Sequence, residues 1–543
     1  MWQQAKWLSV VAILATAPVA WGQSQAWRSK QEVAALTKKI DEHIAAAQKA
    51  AGVVPVPPAS HAAFFRRIHL DLAGMIPTLI DMSDYLANDD PDKLWEWSER
   101  FLDQKAYSKH FAAVWRANIL NAANQQATPF LPPFELWLKD RLQNNLGYDR
   151  LVRELLAPGA ESNGAMMGFR PGGAATPGSG NPAAFYLASE YKAENLAGAA
   201  SRVFLGVKLE CAQCHAHPFA KWTKDEFWQF AAFFVGTQAG FNRFQAEGVP
   251  QQPVASTARE ITIPGTDKVV KAKFLTGEEP KWKANEPTRS VLADWITSPK
   301  NPYFAKATVD MVWQYFFGVS LLEPIMEPSD DAPITHPQLL NDMAQCLIDH
   351  EFDLKFLIRA IIHTQAYQRS SGNQGAVTKD DYVLFTRMPV RGLSPEQLYD
   401  SVIEAAIGPK GHEDLRYQPS FEFNQRQPAG SRAEFLSKFV NQDRRHESQT
   451  SILQALFLMN GKFLSERIKN NENLDTLADP MSKYATTQAR IKTLFLMSLS
   501  REPRPEEYSR LVALVDSDPT QQRQRLGDIL WALLNSAEFR LNH

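Results

Sequence analysis

The segment Val207-Lys-Leu-Glu-Cys211-Ala-Gln-Cys214-His215-Ala-His217 concentrates the chemistry of this chain, because it holds two of only three cysteines in 543 residues. Cys211, Cys214 and His215 form a Cys-x-x-Cys-His frame, the attachment sequence for c-type haem. Two thiols at that spacing can each form a thioether with one vinyl group on a porphyrin edge, and the next imidazole then reaches the iron as an axial ligand. The same residues support other chemistry. Cys211 and Cys214 can form a reversible disulfide or remain buried thiols. With His215 or His217 they could begin a zinc site, but no second Cys/His pair stands at finger-like spacing to complete the tetrahedron.

An iron held through His215 has a sixth position to fill or to leave open. The candidates are Met166 or Met167, His110 and His336, of which a methionine would raise the potential and suit electron transfer. His217 follows His215 too closely to reach the opposite haem face. It is expected to donate a hydrogen bond behind the ligand or to cap a helix. Cys346 shares a helical face with Leu339, Met343 and Leu347 and reads as a core thiol. There is no Gly-x-Ser-x-Gly elbow, no His-Glu-x-x-His and no phosphate loop. Gly178-Ser-Gly180-Asn-Pro-Ala183 imitates a dinucleotide fingerprint, but no strand precedes it and a proline stands where its helix would begin.

The chain around these residues reads as an exported globular protein. Lys6 precedes the apolar run Trp7 to Ala20, and Ala20-Trp21-Gly22 offers small residues for cleavage, so residues 1–22 read as a Sec-type signal peptide. The run is too short to span a bilayer comfortably, no later segment approaches a membrane span, and a periplasmic or extracellular protein is expected. Export permits covalent haem attachment in bacteria and stable disulfides alike, and it disfavours zinc. Hydrophobic residues make up 44% of the chain, enough for a large core and for more than one domain. Net charge is −2 with dispersed Lys and Arg, which excludes the basic stripe of a nucleic-acid partner.

Helical periodicity dominates, so the fold class is mainly α: two helical domains with a small β-hairpin excursion between them. An amphipathic helix over residues 29–51 carries Val33, Leu36, Ile40 and Ile44, and Pro55-Val-Pro-Pro58 ends it. Residues 23–58 are thus a helix and linker before a first domain, 59–238. In that domain Ser83 or Asp84 is placed to start a short helix, and one helix over 184–204 is expected to deliver the Cys211 segment. Residues 158–182 are rich in Gly and Pro and read as a long loop. Thr223 caps a helix over 224–234 whose Phe227, Trp228, Phe230 and Phe234 form a core face or, with haem present, a pocket wall. Residues 239–285 read as a linker with short strands at Glu260 to Pro264 and Lys268 to Phe274 around a turn. A second domain, 286–543, opens helices at Ser394-Pro-Glu-Gln397 and Arg504-Pro-Glu-Glu507.

Several motifs carry a family resemblance. Phe65-Arg-Arg-Ile-His-Leu-Asp-Leu-Ala-Gly-Met-Ile-Pro77, Gly206 to Phe219 and Trp222 resemble the planctomycete cytochrome-associated secreted domain, domain of unknown function 1549. Arg289 to Pro299, Asn301-Pro-Tyr-Phe304, Trp313 to Gly318, His336-Pro-Gln-Leu-Leu340, Leu393 to Leu398 and Leu453 to Gly461 resemble its companion, domain 1553. The resemblance implies secretion and an association with cytochromes. Many such relatives carry a separate N-terminal cytochrome module, whereas here Cys211, Cys214 and His215 form the single haem frame. Where such relatives often read His-Asp-His, this chain reads His215-Ala216-His217, which removes a carboxylate that could orient an imidazole.

Together these features lead to the expectation of an exported haem c protein that passes electrons to or from a redox partner protein, and not a stand-alone enzyme. The alternatives are a helical binding or scaffold protein of an extracytoplasmic polymer-degrading system with a Cys211–Cys214 disulfide, and a metal-dependent enzyme.

Overall fold

A computed structural model describes residues 17–120, 131–158, 182–216, 221–237, 256–321, 336–372, 378–407, 432–437, 458–459, 462–479, 481–482, 484 and 486–543. The chain is mainly α, with two small antiparallel sheets among these residues. No helix among them is long and apolar enough to cross a membrane.

The chain enters along α1 (Ala17–Ala51), which lays Val33, Leu36, Ile40 and Ile44 into the core as their spacing dictates. Next come α2 (His61–Ala73), α3 (Leu79–Ala87), α4 (Lys93–Asp103), α5 (Lys105–Ile119), α6 (Leu131–Gln143) and α7 (Tyr148–Leu156). The start expected at Ser83 or Asp84 lies four residues or more upstream: the Thr78 hydroxyl accepts from the Asp81 amide and opens α3 at Leu79. α2 starts under the Ser60 side chain and stops at Gly74, whose φ of 77° suits a residue without Cβ.

The single helix expected over 184–204 is two, α8 (Ala183–Ala188) and α9 (Ala193–Leu205). Glu190 and Tyr191 both have positive φ, and the break turns the Tyr191 ring into the core beside Tyr186. Then follow α10 (Lys224–Ala231), β1 (Glu260–Thr262) and β2 (Val269–Lys271). The strands pair antiparallel with Ile261 opposite Val270, as the alternating pattern predicts. This hairpin is not a free tether: Lys273 N donates to Gln229 O at 3.2 Å, and the Phe274 ring stacks on Phe233 and Trp295.

The later helices are α11 (Thr288–Ile296), α12 (Phe304–Phe317), α13 (Pro337–Asp349), α14 (Leu354–Ile362), α15 (Gln365–Gln368) and α16 (Lys379–Val383). They are followed by β3 (Arg391–Gly392), α17 (Pro395–Ile407), α18 (Arg432–Ser437), α19 (Lys462–Lys469), α20 (Glu472–Ala478), α21 (Thr487–Leu499), α22 (Pro505–Asp516), α23 (Gln522–Asn535) and β4 (Leu541–Asn542). The start at Ser394 is a reciprocal cap, with Ser394 N donating to Gln397 Oε1 and Gln397 N to Ser394 Oγ.

Apolar burial divides this set into two cores. One gathers residues from Val33 to Met388, with α1 laid across α13 and α14 and with α5 packed along α6. The other gathers Leu393 to Phe539 and takes Leu70 and Ile76 from the α2 region. The two apolar cores part near residue 390, because α11 to α15 fill the same interior as α2 to α10. α2 touches both, with Phe65, Ile68 and Leu72 in the first core and Leu70 in the second.

Candidate functional site

α9 ends at Gly206 in the left-handed region with φ 65°, and a 3-10 turn, Glu210–Gln213, follows at once. The turn is anchored from beneath and left open above. Leu209 and Ala212 are buried, Arg202 Nε pairs with Glu210 Oε1 at 3.1 Å, and Trp228 Nε1 on α10 donates to Gln213 O at 3.1 Å. Gly198 lets this happen, since a Cβ there would meet Glu210 Cγ at 2.8 Å.

Cys211 and Cys214 are both exposed and both free. Cys211 lies within the turn and Cys214 is the residue that ends it, so both thiols belong to one short exposed stretch. His215 follows, exposed, with Nδ1 2.7 Å from Ala216 O and with no partner for Nε2 among the described residues. A ring that donates from Nδ1 to a carbonyl presents its Nε2 lone pair, the form in which imidazole binds a metal. The two thiols and this imidazole are therefore a donor set that fits covalent haem attachment. The capping box Thr223–Glu226 fixes the start of α10, but Phe227, Trp228, Phe230 and Phe234 are buried in the core. Of this face, Trp228 is the ring that reaches the turn, through its Nε1.

Two of the other predicted ligands, His110 and His336, are engaged in bonds of their own. Met166, Met167 and His217 lie outside the described residues. His110 is buried with Nε2 2.6 Å from the Tyr315 hydroxyl, and His336 Nε2 donates to Val383 O at 2.9 Å. Burial holds His336 below the usual imidazole range. Among the described residues no three His, Cys, Asp or Glu side chains gather as a metal site. Cys346 is half-buried beside Leu347 on α13, and burial pushes its thiol up.

Family-model matches now attach to this geometry. Residues 39–239 match PSCyt2, a protein of unknown function (DUF1549), and residues 288–433 match PSD1, a protein of unknown function (DUF1553). The chain carries both domains, in that order. No curated protein and no solved structure matches it.

The most elaborate polar assembly in this DUF1549–DUF1553 chain was missed by motif reasoning. On α2, Arg66, Arg67, His69 and Asp71 are all buried, at 1%, 0%, 3% and 1% exposure. Asp71 accepts from Arg391 Nη2 at 2.8 and 3.0 Å, from Tyr367 Oη at 2.7 Å and from Asn542 Nδ2 at 2.8 Å. Its carbonyl takes the Tyr315 hydroxyl at 2.7 Å, which links His110 to the same assembly. Arg66 reaches the Ser498 and Phe539 carbonyls of the second core, while Arg67 reaches those of Tyr367 and Arg369 in the first. Burial lowers both guanidinium groups to about 10. Burial also opposes the charge on Arg391, but Asp71 outweighs it and holds that pKa above its ordinary value. One signal was present in the sequence: charges set among Phe64, Phe65, Ile68, Leu70 and Leu72 leave α2 no polar face, so those charges had to be paired inside.

Proposed function

We propose that this protein is an exported haem c protein that exchanges electrons with a partner protein, with the haem held through Cys211 and Cys214 and its iron bound by His215. The observation that carries this reading is the pair of free, exposed thiols, one within a short turn and one at its end, followed by an imidazole with an open Nε2. Each thiol adds its S–H across one vinyl C=C, so no leaving group and no oxidant is needed. The bound haem supplies a one-electron couple. Arg202 and Trp228 hold the turn by its backbone and by Glu210, which keeps the sulfurs and the ring in register without engaging them. Their exposure leaves the attached edge open to a partner. The DUF1549 match over the Cys211 segment supports a domain-level role for it.

The test is expression of the chain in a host that attaches haem outside its cytoplasm. A haem-stained band on a denaturing gel and a pyridine haemochrome spectrum of the thioether type are expected. Absence of covalent haem under those conditions overturns the reading.

A further inference from the structure

A cleft far in sequence from the Cys211 turn lies between α1 and the ends of α2, α4 and α14 to α15. It is an open cleft of about 990 Å³. That size is in the range of a small-molecule or oligomer site. Its floor is apolar, formed by Val33 and by the buried faces of Phe64 and Tyr85. The half-buried indole of Trp95 stands on one wall.

The polar groups of the cleft are unevenly satisfied. Its three lysines are engaged: Lys30 Nζ pairs with Asp92 at 2.8 Å, Lys38 with Glu42 at 3.7 Å, and Lys93 donates to Asn88 O at 2.8 Å. Of the acceptors, Asp92 and Glu42 answer two of these lysines and Asp90 Oδ1 takes the Asp92 amide, whereas His363 Nε2 is left over. His363 donates from Nδ1 to Arg359 O at 2.8 Å, which fixes Nε2 as a lone-pair acceptor, and that atom is buried with no partner. Asp41 takes the Gln365 amide on one oxygen, Asp89 is exposed, and the amides of Gln365 and Gln368 line the same wall. An unpartnered buried acceptor is costly, and it is satisfied by a ligand or water that brings a donor.

We infer that this cleft binds an oligosaccharide that is neutral or carries amino groups. Sugar rings offer C–H faces that pack on an indole and many hydroxyl donors that suit carboxylates and a bare imidazole nitrogen. A sulfated or phosphorylated chain would meet Asp41, Asp89 and Asp90 with no free cation to offset them. The inference rests on this cleft alone and stands or falls apart from haem attachment.

Isothermal titration of the full chain with cellohexaose, with a chitosan hexamer and with a heparin-derived sulfated hexasaccharide tests it. Saturable binding of at least one of the first two, and none of the third, is expected. Trp95→Ala and the exposed Asp89→Lys should each weaken that binding about tenfold or more, which is about 1.4 kcal/mol. Asp89→Lys lies on the surface and leaves the fold intact, as circular dichroism would verify. No binding of the first two at millimolar concentration, tighter binding of the sulfated chain, or affinity unchanged in both variants overturns the inference.

Discussion

Two segments of this protein carry equally suggestive residues, and the structure uses them in opposite ways. α2 presents two arginines, a histidine and an aspartate, all of them buried; the Cys211 turn presents two cysteines and a histidine, all of them exposed. In α2 the carboxylate of Asp71 is surrounded by donors from Arg391, Tyr367 and Asn542. Of the two thiols and the imidazole at the turn, only Nδ1 of His215 has a partner among the described residues. A carboxylate whose acceptor sites are filled by its own protein, as those of Asp71 are, is architecture. A side chain whose backbone is held while its reactive atom is left open is available for chemistry.

The sharpest way to break this contrast is Asp71→Ala. Removing one partner of a buried ion pair strands Arg391, and a loss of about 3–5 kcal/mol is expected in chemical denaturation; a loss under about 1 kcal/mol would show that Asp71 is not the tie between the cores. Replacing Asp71 and Arg391 together with Leu and Met should cost less than the single change, because no lone charge stays behind. Gly74→Val comes next. Its φ of 77° and the approach of a Cβ to 2.5 Å from His110 Nδ1 both oppose a side chain, so about 2–3 kcal/mol is expected from the same measurement.

Asn542→Ala removes one donor to the Asp71 carboxylate at 2.8 Å. About 1.5–3 kcal/mol is expected, read as a lowered Tm. A smaller effect follows from acid. Burial, then the neighbouring Arg66, lower His543 from 6.5 to about 4. Between those values the unfolded chain takes a proton that the folded chain refuses, so stability is present above pH 6.5 and is lost as pH falls toward 4. The ring is partly exposed, which limits the loss to about 1–2 kcal/mol, and His543→Gln should flatten denaturation midpoints measured across that window. The smallest effect on stability belongs to the other segment. Cys211→Ser and Cys214→Ser should each shift stability by less than about 0.5 kcal/mol, since both side chains are exposed, while together abolishing haem staining. A large destabilisation would make the turn architecture too.

Much of the fold was legible because it is local. Caps placed the starts of α10 and α17, at Thr223 and Ser394, and the short hairpin was readable from alternation at Ile261 and Ile263 and from the turn at Gly265. The break between α8 and α9 was not. It depends on where the Tyr191 ring finds room, which no local pattern contains. Of the candidate site, the Cys211 frame was readable from spacing alone, whereas the employment of His110 and His336 in other bonds required knowing that Tyr315 and Val383 lie beside them.

The sequence by itself determined most of the helical stretches and where the three cysteines stand, because each follows from neighbours a few residues apart. Only the tertiary structure decided what the charges of α2 meet. Asp71 is 320 residues from Arg391 and 471 from Asn542, and separations of that length are closed by the packing of the two cores, which makes α2 their common seam and leaves the Cys211 turn on the surface.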